Sequence, residues 1–223
     1  MADRRLVDLS ADLFVAALEA LGIPVGAGRG IFSHYMQRQL DQARDILFEE
    51  IQSGQLGPLQ AAQQDDAIAI IYRYMLSVRD GAARRNLRLL ARVVCGLWER
   101  DRLFADDSNK YAEALSRLSR DEILVVGTLH MFKKYLKELT SEKPIIASYW
   151  PCVIKRLVPS EFPTDEHVLS ICCSAQRSGL VVNGLDFDSS AYYGASPLMD
   201  EVSELVDFQD VLRREGDLSP DIG

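Results

Sequence analysis

The stretch RSGLVVNGLDFDSSAYYGAS, residues 177–196, decides how the fold of this chain is interpreted. Two runs of β-branched and aromatic residues within it, LVVNG and AYYGA, are the convincing strand candidates of the sequence, and Asn183 and Gly184 form a turn signal. A helical pattern capped by Thr164 precedes them and ends at Gly179. Ser196 and Pro197 then begin another helix. This order predicts a helix–β-hairpin–helix module with the outline of a winged helix.

Helical periodicity dominates the rest of the chain. Apolar residues recur at three- and four-residue steps over residues 33–51, and a long helical pattern runs from Asp65 or Asp66 to about Leu103. Gly81 could kink or interrupt that helix, and the sequence leaves open whether the helix over residues 66–103 is continuous. Ser119 and Glu122 have capping-box spacing before ILVVGTLHMFKKYLKEL, which predicts the start of another helix.

These patterns predict a mainly α fold class, a multi-helix bundle with a small winged-helix-like module at its C-terminal end. The expected domains are a helical body over residues 1–160 and the module over residues 161–216, which includes an acidic terminal helix. Residues 217–223 are expected to fray.

The net charge of −8 is placed unevenly. Residues 184–223 hold ten acids against Arg213 and Arg214, so that residues 1–183 balance at 23 acids and 23 bases. Such an asymmetry is typical of a segment that repels nucleic acid or docks on a basic surface.

The apolar fraction of 48% and charged fraction of 26% exclude a disordered chain. Four cysteines, two of them adjacent, do not make a disulfide framework. The early apolar run is cut by Glu19 and Pro24, which disfavours a membrane span. We therefore expect a cytoplasmic protein with reduced thiols.

Three patterns could mark a cofactor, metal or catalytic site. The glycines of GIPVGAGRG follow a helical pattern where a dinucleotide fingerprint needs a strand, so a tight turn is favoured over phosphate binding. A zinc site that combines His167 with the thiols Cys152, Cys172 and Cys173 is disfavoured, because the spacing of these residues does not fit one. His34 and His130 each stand alone in the sequence. The sequence therefore predicts no cofactor, no metal and no catalytic group.

The segment YRYMLSVRDGAARRNLRLLARVV, residues 72–94, holds six arginines against one acid. Arg84, Arg88 and Arg92 are four residues apart and share one helical face. This arginine stripe could contact phosphates or an anionic partner, because guanidinium groups match phosphate and carboxylate oxygens. The alternative is a solvated face whose arginines pair with acids elsewhere in the body.

The winged outline lacks the charge of a DNA-reading module. The helix TDEHVLSICCSAQRSG opens with Asp165 and Glu166 and carries a single cation, Arg177, and the hairpin tip holds Asp186 and Asp188. Phosphates would be repelled there, since recognition needs cations and hydrogen-bond donors. We therefore expect the shape to serve packing or a protein partner.

Three stretches, LEALGIPVGAG, RLSRDEILVVGTL and SAQRSGLVVNG followed by AYYGASPLMDEV, resemble the abortive-infection alpha family of bacterial helical proteins. The resemblance implies a helical fold and a role in phage defence. It brings no catalytic motif, so no functional residue is carried over. The acidic helix at the C-terminal end departs from the plainer terminus that the family leads us to expect.

The function expected from these observations is non-enzymatic and works through protein contacts, in defence or regulation. The acidic face of the last helix, formed by Asp200, Glu204 and Asp207, is expected to dock on the arginine stripe until a partner displaces it. The alternative is a winged-helix-type nucleic-acid-binding regulator that uses Arg84, Arg88 and Arg92. Membrane binding is disfavoured, the protein partner is not specified by the sequence, and a homo-oligomer stays open.

Overall fold

A computed structural model describes residues 31–54, 56, 63–140, 145–185 and 191–216 of the chain. Within them there are nine α-helices and one two-stranded antiparallel sheet. The helix expected over residues 9–21, the GIPVGAGRG turn, the hairpin-tip residues Asp186 and Asp188 and the expected frayed tail lie outside the described residues. The described residues fall into two compact units that divide between Arg117 and Leu118. The expected boundary at residue 160 lies inside the second of them.

The first unit consists of four helices: α1 (Ile31–Ser53), α2 (Gln64–Arg79), α3 (Arg84–Glu99) and α4 (Ala105–Leu115). Helix α1 packs on α3, and α2 packs on α4. Leu40, Ala43, Leu47 and Ile51 are buried, as the periodicity of residues 33–51 predicts for one face of a helix. The core of this unit therefore lies between α1 and the almost wholly buried α3.

The long helical pattern between positions 66 and 103 is two helices, because the chain turns at Gly81. This glycine has a φ of 86°, in the left-handed region that favours glycine. Its N–H donates to the carbonyl of Val78 at 3.0 Å, and the N–H of Ala82 donates to the carbonyl of Ser77 at 2.9 Å. These two bonds form a Schellman motif, which ends α2 and lets α3 begin afresh at Arg84.

The second unit is arranged around α5 (Arg120–Thr140). The helices that follow are α6 (Ile146–Leu157) and α7 (Asp165–Ala175), and a single 3₁₀ turn leads into β1 (Val181–Leu185) and β2 (Ala191–Ala195). Two short helices, α8 (Pro197–Ser203) and α9 (Phe208–Arg214), complete it. Helix α5 packs on α6, α7, α8, α9 and β2. The mainly α fold with a C-terminal helix–hairpin–helix is thus confirmed.

The start of α5 is the capping box predicted from the sequence. The N–H of Glu122 donates to Ser119 Oγ at 3.1 Å, and the N–H of Ser119 donates to Glu122 Oε2 at 2.8 Å. Two backbone donors that the helix itself cannot satisfy are paired in this way. The residues that follow, from Glu122 to Leu129, are all buried.

The hairpin differs from the prediction in its turn. Asn183 and Gly184 lie in β1, paired with Tyr193 and Tyr192, and the link between the strands falls at residues 186–190. The prediction of a turn at Asn183 and Gly184 is therefore wrong. The five-residue ladder from Val181 to Leu185 outweighs the local preference of Asn-Gly for a turn.

The acidic terminal helix is also interrupted. Helix α8 begins as predicted at Ser196 and Pro197, with Ser196 Oγ accepting from the N–H of Met199 at 3.1 Å, but it ends at Ser203. Asp207 then caps α9 by accepting from the N–H groups of Gln209 and Asp210. A new N-cap replaces the continuous helix that the sequence predicted.

The second strand lies close to α6 at Gly194. A Cβ atom there would lie against Tyr149 Oη and 2.7 Å from Ile146 Cγ1, whereas a Cβ at Gly184 would meet Ile146 Cδ1 at an ordinary 3.6 Å. The ring centroids of Trp150 and Tyr193 are 5.8 Å apart, which adds an aromatic contact between the same two elements.

We expect Gly194→Ala to lower the free energy of unfolding of the second unit by about 1–3 kcal/mol, because the added methyl overpacks the contact with α6. Gly184→Ala is the matched control and should change it by less than about 0.5 kcal/mol. Urea unfolding followed by Trp150 fluorescence in a Trp98→Phe background measures both. Equal effects of the two substitutions would contradict the close packing of β2.

Candidate functional site

The arginine stripe is joined to carboxylates of α1. Arg88 is 3% exposed, and its guanidinium donates to Glu50 Oε1 at 2.7 Å and to Glu49 Oε2 at 3.1 Å. Arg92 Nε lies 2.6 Å from the other carboxylate oxygen of Glu50. Arg84, at the first position of α3, is exposed. Of the three predicted residues, two are therefore paired with acids of their own unit, as the alternative interpretation expected, but Arg88 is buried and not on the solvated face that it assumed.

The burial of Glu50 explains the positions of Arg88 and Arg92. Its side chain is fully buried, and an unpaired buried carboxylate would cost several kcal/mol. Arg88 and Arg92 lie four residues apart on α3, so one turn of helix delivers two guanidinium groups to one carboxylate. The four-residue spacing that suggested a site for an external anion thus places both arginines beside the buried carboxylate of Glu50.

The three acids of the predicted docking face have separate positions. Asp200 accepts from Lys133 Nζ at 2.7 and 2.8 Å, Glu204 follows the end of α8, and Asp207 caps α9. Because the chain turns between the two helices, the prediction of one acidic helix face is wrong. Asp200 is instead part of the contact between α8 and α5.

Helix α7 occupies the place of a recognition helix, between α6 and the hairpin. Its exposed residues include Asp165, Glu166 and His167, and none of the residues of α7 is lysine or arginine. The nearby Arg177 lies in the 3₁₀ turn and donates to both carboxylate oxygens of Glu122. The outward surface of this helix is therefore acidic.

The Glu122 carboxylate holds Arg177 by accepting a hydrogen bond at each of its two oxygens. Burial alone would raise the pKa of Glu122, but hydrogen bonds from Arg177, from Ser174 Oγ at 2.6 Å and from the N–H of Ser119 lower it to about 2. The carboxylate therefore stays ionised throughout the physiological range. It joins the start of α5 to the end of α7.

A cavity of about 240 Å³ lies between α5 and the pair α8–α9. Its apolar lining comes from Met131, Met199, Val206 and Phe208, and a Cβ at Gly127 would lie 3.1 Å from Phe208 Cβ. Glycine at this position thus permits α9 to approach α5 closely. We refer to this cavity as the α5–α9 groove.

The polar lining of the groove includes His130, which the sequence left without a partner. Its Nε2 lies 2.8 Å from Ser203 Oγ, and Ser203 Oγ donates to the carbonyl of Asp200 at 2.8 Å. If Ser203 donates to that carbonyl, it accepts from the Nε2–H of the neutral His130 ring. The pair thus links α5 to α8.

An exposed apolar stripe continues from the groove along α5. Met131, Tyr135 and Leu139 are 37%, 56% and 62% exposed, although the first half of the same helix is buried. Exposed Lys134 and Lys137 flank the stripe. The sequence predicted this helix but not its uncovered half, since periodicity does not reveal where the packing partners of a helix end.

The four thiols do not gather around His167. Cys95 and Cys172 are buried, and burial raises the pKa of each thiol to about 12. Cys152 and Cys173 are exposed, and Cys173 Sγ lies 2.7 Å from Tyr193 Oη. Among the residues that the structure describes, no three His, Cys, Asp or Glu side chains could hold a metal ion together.

Within the described ranges, no helix combines the length and apolar character needed to cross a bilayer.

Comparison of the chain with protein-family models, with curated proteins and with solved structures found no match.

Replacing Arg88 tests whether the stripe is structural. We expect Arg88→Ala to lower the free energy of unfolding of the first unit by about 3–5 kcal/mol, because it leaves the Glu50 carboxylate buried with less compensation. The exposed Arg84→Ala should cost no more than about 1 kcal/mol. Urea unfolding followed by Trp98 fluorescence in a Trp150→Phe background measures both. A small, equal effect of the two changes would contradict a structural role.

Protonation of His130 should destabilise the second unit. Burial lowers the pKa of His130 below 6.5, and the Asp200 carboxylate only partly opposes this. The folded state thus binds the proton less readily than the unfolded chain, so stability is full above about pH 6.5 and declines as the pH falls below it. Unfolding followed by Trp150 fluorescence, in a Trp98→Phe background between about pH 7.5 and about pH 5.5, should show this decline. His130→Gln should reduce it, and His167→Gln, which alters an exposed imidazole of α7, should not. If stability declined as steeply in His130→Gln, the titration of another group would be the cause of the decline.

Proposed function

We propose that this protein works by binding another protein, without catalysis, and that its winged-helix-like second unit makes the contact. The proposal includes a bacterial cytoplasmic setting and a role in phage defence or regulation, which the resemblance to the abortive-infection alpha family favours. The structural observation that carries the protein-binding part is the acidic outward surface of α7.

A DNA-reading helix presents donors to base edges and cations to phosphates. Helix α7 presents Asp165 and Glu166 instead, and Arg177, two residues after its end, is paired with Glu122. Nearby phosphates would meet like charge, which disfavours association most strongly at low salt. The winged shape is therefore better suited to a protein surface than to a duplex.

The alternative, a nucleic-acid regulator that uses the arginine stripe, is weakened by the pairing of Arg88 and Arg92. Contact with phosphates would require Arg88 to leave Glu50 buried, and breaking such a pair costs about 3–5 kcal/mol. The free energy gained from phosphate contacts on an exposed surface would have to exceed that cost before net binding resulted. Arg84 alone cannot supply the several cations on which duplex affinity depends.

Exposed apolar side chains on α5 give positive support for protein binding. An apolar patch flanked by charged residues is typical of protein interfaces, and aromatic residues and methionine are enriched in them. Tyr135 and Met131 are of these types and lie on one face of a rigid helix.

Removing the acidic charge of α7 tests the proposal. Fluorescence anisotropy of a labelled duplex should show no binding by the full chain at about 50 mM or about 150 mM salt, because the surface repels phosphates. The double substitution Asp165→Lys, Glu166→Lys should give binding at the lower salt that weakens as salt rises. Far-UV circular dichroism checks that both proteins keep the same helix content.

A control for the change of charge is Asp121→Lys, which replaces a half-exposed carboxylate of α5 that lies 3.3 Å from Arg120, and it should not produce binding. Binding of the unchanged chain at about 150 mM salt, lost in Arg84→Glu, would contradict the proposal and favour the nucleic-acid regulator.

A further inference from the structure

The second half of α5 is an amphipathic helix without a covering element among the described residues. Met131, Tyr135 and Leu139 are spaced by four residues, so they form one stripe about 12 Å long on a single face. All three are exposed, whereas every residue from Glu122 to Leu129 is buried. The apolar pattern of this helix therefore extends beyond the core that the second unit provides for it.

This stripe joins the α5–α9 groove at Met131, which belongs to both. Met199, Val206 and Phe208 lie behind the groove at no more than 3% exposure, so Met131, at 37%, is the accessible apolar side chain of its lining. Methionine side chains adapt to the shape of what binds them, because they are flexible and polarisable. The accessible apolar surface is therefore the stripe itself, with the groove as a cavity at its Met131 end.

The charges beside this surface specify its partner. Lys134 and Lys137 are exposed next to the stripe, and Glu138 is the acid among residues 131–140. The charge of Lys133 is already neutralised by Asp200. Carboxylates would complement the lysines along α5, whereas Asp207 on the opposite side of the groove would repel them.

A helix fits this surface better than other occupants. Anchors at positions i, i+4 and i+7 of an amphipathic helix match a helical stripe that enters a groove. A second copy of this chain would bring its own Lys134 and Lys137 to the same face, and like charges disfavour that contact. A bilayer surface cannot enter a groove between α5 and α9.

We propose that the α5–α9 groove and the stripe of Met131, Tyr135 and Leu139 bind an amphipathic helix of a partner protein whose acidic residues lie along Lys134 and Lys137. This inference rests on the proposed function, since it identifies the surface and the partner chemistry of the protein contact.

Two synthetic peptides of the same length provide the probe. Both carry leucine at i, i+4, i+7 and i+11, and the flanking positions are glutamate in one and lysine in the other. In fluorescence anisotropy with the full chain we expect the acidic peptide to bind at least about tenfold more tightly, a difference of about 1.4 kcal/mol. The double substitution Lys134→Glu, Lys137→Glu should reverse the preference.

Substitutions on the stripe locate the binding. Tyr135→Ser and Leu139→Ser change exposed side chains, so both variants should fold and both should weaken the acidic peptide at least about tenfold. Tyr35→Ser and Phe104→Ser are the matched controls, because each of these aromatic residues is 57% exposed in the first unit. They should bind the peptide as the unchanged chain does.

The inference is overturned if neither peptide binds, if both bind equally, or if the stripe and control substitutions act alike. It is also overturned if anionic phospholipid vesicles compete for the stripe as well as the acidic peptide does. A failed peptide test with no duplex binding would leave protein binding by another surface in place. Duplex binding by the unchanged chain would instead overturn the proposed function.

Discussion

The ion pair between Glu122 and Arg177 is the contact on which the second unit depends. It fastens the first turn of the central helix to the end of α7, and it sits on the capping box that Ser119 makes with the same carboxylate. Because the hydrogen bonds to Glu122 outweigh its burial, the carboxylate remains charged and holds its arginine. The pair that joins α5 to the end of α7 therefore also commits Arg177, a cation two residues after α7, to a buried carboxylate.

The first unit also pairs arginines with a buried carboxylate, and there two arginines share it. Glu50 lies inside, and Arg88 and Arg92 reach it from successive turns of α3. A basic stripe in the sequence thus becomes an internal charge balance in the fold. In both units an apparent candidate for phosphate binding is paired with a carboxylate, whereas the second half of α5 exposes apolar side chains flanked by lysines.

The sequence predicted those features that depend on neighbouring residues. The capping box at Ser119, the helix start at Ser196 and the interruption at Gly81 follow from local hydrogen bonds and backbone preference. The prediction of a turn at Asn183 and Gly184 failed because the strand partner of these residues lies about ten positions away. Local preference is weaker than a ladder of paired strands.

The candidate site was less predictable for a related reason. His130 meets Ser203 across 73 residues, and Arg88 meets Glu50 across 38 residues. One sequence contains no signal for such distant pairs, and the uncovered half of α5 is defined only by where its neighbours stop. The sequence supplied the helix and its residue types, and packing decided which of them are internal.

The buried pairing of Arg88 with Glu50 also constrains how this sequence can change over time. Loss of either partner alone leaves the other uncompensated inside the protein, whereas an apolar pair of similar volume can take the place of both. Drift at these positions should therefore proceed by coordinated replacement, with intermediate states removed by selection. The exposed stripe of α5 is not subject to this constraint, because replacing one of its side chains leaves no buried charge uncompensated.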